Sequence, residues 1–386
     1  MAEQLISTEM NFIKDVLASG GGDLMKCYQC GTCSVVCNPT PNEKPFPRKE
    51  MLYAQWGMRD KLMSDPDIWL CHQCSDCTAH CPRGAKPGEV IGALRRLAVS
   101  TYSPPRLLGK MTGNKRYLLI LFAVPVVILF AILAYLGNLT ISRIPRGEFG
   151  EIIYSKFMPV LVIDVVFSTA ALFAVLSFAI GVYRYWNVLK SGIDASQWAA
   201  RGAAWKSIAR AMGDILPHRE FKKCDYAKGR SNAHLLTFYG FIGLAITTTW
   251  AMYYLYALKW ESPYPLNDPL KIWANISALA FLTGITLVII TRFRTAPKAG
   301  FGNYFDWLLI MVLYTIAATG ILAEVLRLLD IASFAYPVYF IHLVLVFFLF
   351  AYAPFSKMAH LVYRMLAMVF KKHVGEDLRL AGMASK

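Results

Sequence analysis

Eight of the nine cysteines stand in two runs of one pattern, Cys27, Cys30, Cys33 and Cys37, then Cys71, Cys74, Cys77 and Cys81, each CxxCxxCxxxC. Thiolates at i, i+3 and i+6 let a tight loop wrap one iron–sulfur cubane, and a fourth waits on the following segment. The chemistry of such residues is electron transfer through two [4Fe–4S] clusters. A second set is histidine: His234, His342 and His360 fall in or beside apolar sequence. An imidazole in hydrocarbon is costly enough that a functional role is the default expectation.

In two-cluster ferredoxins the fourth cysteine of each run ligates the other cluster. Cys81 is followed by Pro82, as in the bacterial run, whereas Cys37 is followed by Asn38 and only then Pro39. A structural zinc pair also uses CxxC, but zinc gives no reason for the same four-cysteine cadence twice. Thiolate ligands point to a reducing compartment, and Cys224, alone in a basic loop, reads as a free thiol. Gly20-Gly21-Gly22 lacks the Lys-Ser/Thr of a phosphate cradle and reads as a hinge.

The elements that must position these groups divide sharply. The chain has 386 residues, 56% of them hydrophobic, and a mean hydropathy of +0.41, too apolar for an ordinary soluble domain. Residues 1–103 are polar, open with a short amphipathic segment rather than a signal peptide, and carry all eight cluster cysteines. Residues 104–116 form a linker with Pro104-Pro105 and basic side chains. Residues 117–372 hold about six apolar runs near the roughly 20 residues a bilayer needs, spanning Tyr117 to Gly137, Phe157 to Trp186, His234 to Leu258, Ile272 to Thr291, Phe305 to Leu328 and Tyr336 to Phe370. Residues 373–386 form a tail. The expected fold class is α-helical: a ferredoxin-type two-cluster helical domain followed by a six-helix transmembrane bundle.

Nine Lys or Arg against four acids lie between Asn187 and Ala233, and Arg292, Arg294, Lys298, Lys371 and Lys372 follow later spans. By the positive-inside rule both termini and the cysteine module face the cytoplasm across an inner membrane. The formal net charge of +15 is accounted for by orientation, so a nucleic-acid partner is not expected.

His342 and His360 are 18 residues apart, five turns of one straight helix, facing one side about 27 Å apart; Pro354 between them is a site for a kink. That arrangement suits two stacked b hemes. His234, at the cytoplasmic end of the third span, matches His360 in depth and is its expected partner. No histidine on the third span matches His342, and Leu244 stands where one is wanted. Two arrangements remain open. In one, His218 pairs with His360 and His234 moves deeper to serve His342. In the other, only the inner heme is bis-histidine, and His342 has another partner or lines a quinone pocket. His72, His80 and His373 read as solvated.

The stretch His342-Leu-Val-Leu, with Ala353-Pro-Phe-Ser-Lys357 and Met358-Ala-His360, resembles the last helix of nitrate reductase gamma-type cytochromes b. Ala233-His234-Leu-Leu-Thr-Phe-Tyr-Gly240 is similar to that family's first heme-ligand helix, whose second histidine is Leu244 here. Cys27-Tyr-Gln-Cys30-Gly-Thr-Cys33 and Cys71-His-Gln-Cys74 resemble the C-type iron–sulfur component of heterodisulfide reductase. The fusion of that module to a heterodisulfide reductase E-like cytochrome is similar to the C-component family of quinone-interacting membrane-bound oxidoreductase complexes. The resemblance implies heme b (two, at least one), menaquinone, soluble flavin- and iron–sulfur-containing A and B subunits, and adenylylsulfate reductase as the eventual electron acceptor. A methanophenazine-linked heterodisulfide reductase relative and a passive membrane anchor are the alternatives. Asp164, Glu324 and Arg327, ionisable groups toward the outer face, are the candidates for quinol protons or for a structural ion pair. Trp250, Tyr253 and Tyr254 read as an interfacial belt.

Overall fold

The computed structural model describes residues 7–38, 45–141, 144, 146–148, 150–191, 204–219, 221–223 and 228–374. Cys224 and most of the tail lie outside them. Among the described residues there is no strand.

The N-terminal module is built from short helices: α1 (Met10–Ala18), α2 (Thr32–Val35), α3 (Arg48–Gln55), α4 (Arg59–Met63), α5 (Asp67–Leu70), α6 (Asp76–Ala79) and α7 (Pro87–Tyr102). Helix α1 buries Phe12, Ile13 and Val16, one face at helical spacing. Pro87 opens α7, where its missing N–H has no partner to lose. Leu24, Met51, Ile68, Trp69, Ile91 and Leu94 close the core.

The two cysteine loops share one backbone conformation. Gln29 and Gln73 both adopt positive φ (60° and 52°), and so do Gly31 and Ser75 (84° and 73°), immediately before α2 and α6. Gly31 enters that region freely, whereas Ser75 does so at about 1 kcal/mol. The repeat of cadence in the sequence is thus a repeat of fold.

Within the linker stretch lies helix α8 (Arg106–Thr112). It packs so closely on α7 that a Cβ on Gly109 would stand 2.9 Å from Ser100 Cα. Thr112 Oγ1 donates to the Phe355 carbonyl at 2.7 Å, which ties module to bundle.

The remaining helices are α9 (Leu118–Tyr135), α10 (Tyr154–Phe157), α11 (Val160–Ser191), α12 (Ala204–Ile215), α13 (Lys228–Tyr256), α14 (Pro269–Ala299), α15 (Tyr304–Leu328), α16 (Ala332–Tyr352) and α17 (Ala359–Val374). Six helical stretches among the described residues are long and apolar enough to cross a membrane, the last comprising α16 and α17 together. Helix α16 packs on α9, α11 and α15; α15 packs on α14, and α14 on α13. The α13–α14 contact is the closest: a Cβ on Gly284 would run into the Thr237 backbone nitrogen, and one on Gly240 would stand 2.6 Å from Phe281 N. Where lipid supplies no hydrophobic drive between helices, such small residues let backbones approach and pack.

The last apolar stretch is not the single straight helix that the 18-residue spacing presupposes. Helix α16 ends at Tyr352, a tight turn covers Ala353–Phe355, Ser356 is extended (φ −98°, ψ −179°), and α17 starts afresh at Ala359. Pro354 brings no N–H to a ladder, and the extended Ser356 removes the helical phase. His342 and His360 therefore sit on different helices and do not share a face. Helix α17 leaves the bundle for the module: its Tyr363 stacks on Trp69 at 5.0 Å and bonds Ser103 Oγ at 2.8 Å.

Candidate functional site

Each cysteine cavity draws on both runs. Cys27, Cys30 and Cys33 line one cavity together with Cys81. Cys71, Cys74 and Cys77 line the other together with Cys37. The fourth cysteines are exchanged because α2 and α6 lie against each other. In both loops a backbone N–H points at the first sulfur, Gln29 N to Cys27 Sγ at 3.5 Å and Gln73 N to Cys71 Sγ at 3.3 Å, and Ala85 N donates to Cys81 Sγ at 3.4 Å. Four convergent sulfurs in each cavity, with amide protons on Cys27 and Cys81 in one and on Cys71 in the other, suit an anionic sulfur cluster. Burial pushes the Cys33 thiol up to about 11 and Cys77 well above the usual thiol range, so loading either cavity with iron must release protons.

The cavities differ in surroundings. Cys30 is exposed, and the Cys27 cavity faces solvent. The Cys71 loop instead lies on the ends of four bundle helices. Gln73 is its hub: Arg230 of α13 donates to the Gln73 carbonyl at 2.6 Å, Lys357 Nζ to Oε1 at 2.8 Å, and Gln73 Nε2 donates to Asp306 of α15 at 3.4 Å. Asp306 is paired in turn with Lys357 and, at 3.3 Å, with Arg292 of α14. Arg364 of α17 donates to the Cys71 carbonyl at 2.9 Å and contacts the His72 ring at 3.0 Å. Arg95 of α7 completes the clamp on the same carbonyl.

His72 is accordingly not solvated. It stacks on Phe221 at 5.4 Å, and burial, with Arg364 and Arg95 beside it, pushes its imidazole down to about 2, so it is neutral. His373 is buried as well, against Ser207 of α12. His80 is exposed as expected, its Nδ1 bonded to the Asp76 carbonyl.

His218, His234 and His360 are brought together and His342 is left apart. His218 Nε2 and His234 Nδ1 share a hydrogen bond of 2.7 Å, and His360 is an electrostatic neighbour of His234. The bonds decide the tautomers. His218 Nδ1 faces the Leu216 carbonyl at 3.4 Å and must donate, so its Nε2 accepts from His234 Nδ1. His360 Nδ1 donates to the Lys357 carbonyl at 2.5 Å. Both His234 and His360 thus keep an Nε2 lone pair, the donor a heme iron requires, with the second nitrogen held by a partner as metal-binding histidines generally have it. The imidazoles fit axial ligation. Leu244, ten residues beyond His234, is partly buried against the apolar cluster of the bundle.

His342 Nδ1 donates to Thr319 Oγ1 at 3.1 Å, that hydroxyl being committed to the Thr315 carbonyl. It lines an open cavity with Glu324, Arg327, Lys271, Tyr154 and Tyr339. Glu324 pairs with Lys271 at 2.8 Å and accepts from Asn275 at 3.4 Å. Of the three carboxylate and guanidinium candidates, Glu324 and Arg327 share this cavity. Asp164 does not line it and is bonded to Tyr256. Gln73, Arg230, Asp306, Lys357 and Arg364 were not among the expected site residues. Charges at span ends are already accounted for by orientation, and a glutamine between two cysteines carries no signal of its own.

A family model described as citrate utilization protein B matches residues 111–382, and one described as a 4Fe-4S dicluster domain matches residues 23–85. The C component of the H(2):CoB-CoM heterodisulfide,ferredoxin reductase of Methanothermobacter marburgensis is 34% identical over 91 residues, 23% of this chain and 49% of its own length. A protein of Archaeoglobus profundus described as like the C component of heterodisulfide reductase is 39% identical over 85 residues, 22% of this chain and 45% of its own. The second iron-sulfur C component of the CoB--CoM heterodisulfide reductase of Methanocaldococcus jannaschii is 37% identical over 103 residues, 25% and 55%. The chain spans about half the length of these curated relatives. No solved structure matches it. The N-terminal module is thus a 4Fe–4S dicluster domain of the kind found in the C components of heterodisulfide reductases, joined to a helical region with six candidate spans.

Proposed function

This chain belongs to the citrate utilization protein B family, and on that premise, with the dicluster domain, we propose that it is the membrane subunit of a quinone-linked respiratory oxidoreductase. In that role, heme b held by His234 and His360 and clusters held at the Cys71 and Cys27 sites would supply one-electron transfer between menaquinol and soluble flavin- and iron–sulfur-containing A and B subunits, toward adenylylsulfate reductase. The module lies on the cytoplasmic side. Bound heme and clusters carry one electron at a time, and the quinol gives up two electrons with two protons.

The residues divide this work. Cys27, Cys30, Cys33 and Cys81 hold one cluster, and Cys71, Cys74, Cys77 and Cys37 the other. His234 and His360 would hold heme b through Nε2, and His218 orients His234. His342, with its open Nε2, and Glu324 are the groups of the outer cavity able to take protons from a quinol, and Arg327 and Lys271 offset the charge left there. No histidine opposes His342, because Leu244 is committed to apolar packing; one heme per chain follows.

The observation that carries the reading is the clamp of Arg364. One turn beyond His360, it binds the carbonyl of Cys71, so the helix of a candidate heme ligand touches a candidate cluster loop. His360→Ala should abolish the b-type optical spectrum while the iron EPR signals remain, and a menaquinol analogue should then no longer reduce the clusters. An unchanged spectrum would remove the ligand assignment, and two hemes per chain would give His342 to the second. The names of the relatives favour a second reading, a heterodisulfide reductase-type subunit with another carrier. Indifference of the heme to menaquinone analogues would select it.

A further inference from the structure

The Cys27 cavity is the open end of the path, and its rim has a composition of its own. Arg48 and Arg83 are exposed and line it, and among the described residues no carboxylate does. The Arg83 guanidinium lies over the Tyr28 ring at 4.1 Å, and Tyr28 is 69% exposed. The Cys30 thiol, which lines the same cavity as Tyr28, is in solvent. The Cys71 site offers no such access, being clamped from α7, α13, α15 and α17.

An exposed aromatic ring beside an exposed thiol, flanked by two guanidiniums, forms a contact of a definite kind. Apolar area at the centre supports close approach, and charge at the rim steers encounter and sets orientation. A cationic rim selects an anionic partner. We propose that this mouth is the docking face for an acidic, soluble electron-carrier protein, which places carboxylates on Arg48 and Arg83 and its redox centre over Cys30. This rests on the reading that the Cys27 cavity holds a cluster. In the transfer one electron leaves the reduced cluster and reduces the acceptor by one electron; no bond is made or broken.

The test uses two one-electron acceptor proteins of opposite charge, plastocyanin (acidic face) and cytochrome c (basic face), with the full-length chain in detergent. Plastocyanin should be reduced faster than cytochrome c, and its rate and affinity should fall as ionic strength rises. Arg48→Glu with Arg83→Glu should weaken the plastocyanin Kd and rate at least tenfold and invert the salt dependence, and the Arg48→Gln, Arg83→Gln pair should lie between. Arg294→Glu with Lys298→Glu, an equal charge change at exposed positions of a helix end that does not line the rim, should leave both unchanged. A plastocyanin Kd and salt dependence indifferent to the double reversal would overturn the proposal. So would a wild-type preference for cytochrome c, or a double reversal that only splits a dimer of this chain, which would make the face a self-contact. The Kd reads the face without the cluster, so a missing iron EPR signal with Kd intact would sink the cluster reading alone.

Discussion

Arg364 Nη1 lies 2.9 Å from the carbonyl oxygen of Cys71, across 293 residues of sequence. This bond and the contact with His72 join the helix of His360 to a cysteine loop, at a place where the apolar bundle and the polar module must communicate. A charged donor on a buried carbonyl contributes roughly 1.5–3 kcal/mol. Arg364→Ala should lower the thermal midpoint of the module by several degrees and slow reduction of the clusters by heme after rapid mixing with quinol, with the heme spectrum retained. Arg364→Lys, lacking the fork that reaches both Cys71 and His72, should rescue stability more than rate.

The exchange of fourth cysteines predicts which signal each substitution disturbs. Cys81→Ser should alter the EPR of the cluster that Cys27→Ser alters, and Cys37→Ser that of the Cys71→Ser cluster. If Cys37→Ser and Cys27→Ser affect the same signal, the crossed assignment is wrong.

His218 orients a ligand and is not itself one in this reading. His218→Ala should keep a b-type spectrum and change the heme midpoint potential, because it removes the acceptor on His234 Nδ1. Loss of the spectrum in this variant, equal to that in His234→Ala, would make His218 a ligand.

Gly284 and Gly213 separate packing from propensity. A Cβ at Gly284 would collide with the Thr237 backbone, so Gly284→Ala should force α13 and α14 apart and cost about 1–3 kcal/mol. Gly213, exposed on α12 with nothing within 4 Å of its Cβ position, should gain up to about 1 kcal/mol as alanine. Thermal melts in detergent, with heme absorbance followed for Gly284→Ala, check both directions.

Glu50 predicts a pH dependence. It is fully buried, 3.0 Å from Lys49, with Asp65 and Asp67 close by and Lys371 of α17 on Asp67. Burial pushes its carboxyl up to about 8, against about 4.5 when unfolded. Between those values the native chain holds a proton that the unfolded chain has released, so the contribution is complete below pH 4.5 and is lost as pH rises toward 8. Glu50→Gln should flatten that slope, which amounts to a few kcal/mol at about 1.4 kcal/mol per tenfold change in proton affinity. An identical pH profile of the melting temperature in Glu50→Gln and wild type would show that Glu50 is ionised throughout.

Local spacing and hydropathy encode part of this molecule. Two CxxCxxCxxxC runs prescribe two loops of one shape, and Gln29 and Gln73 do take the same left-handed turn; runs of apolar residues near bilayer length prescribe six candidate spans. The tertiary structure decided what depends on long-range neighbours. The five-turn phase of His342 and His360 assumed an unbroken helix, and an extended Ser356 after Pro354 ended it. His72 and His373 looked solvated because burial is set by Phe221, Arg364 and Ser207, all far away in sequence. Gln73 acquired its role only when Arg230 and Asp306, near the starts of α13 and α15, and Lys357, in the turn before α17, converged on one loop. Helix and loop shape follow from bonds a few residues apart, whereas burial, tautomer and ion pairing follow from which distant groups share a low-dielectric space.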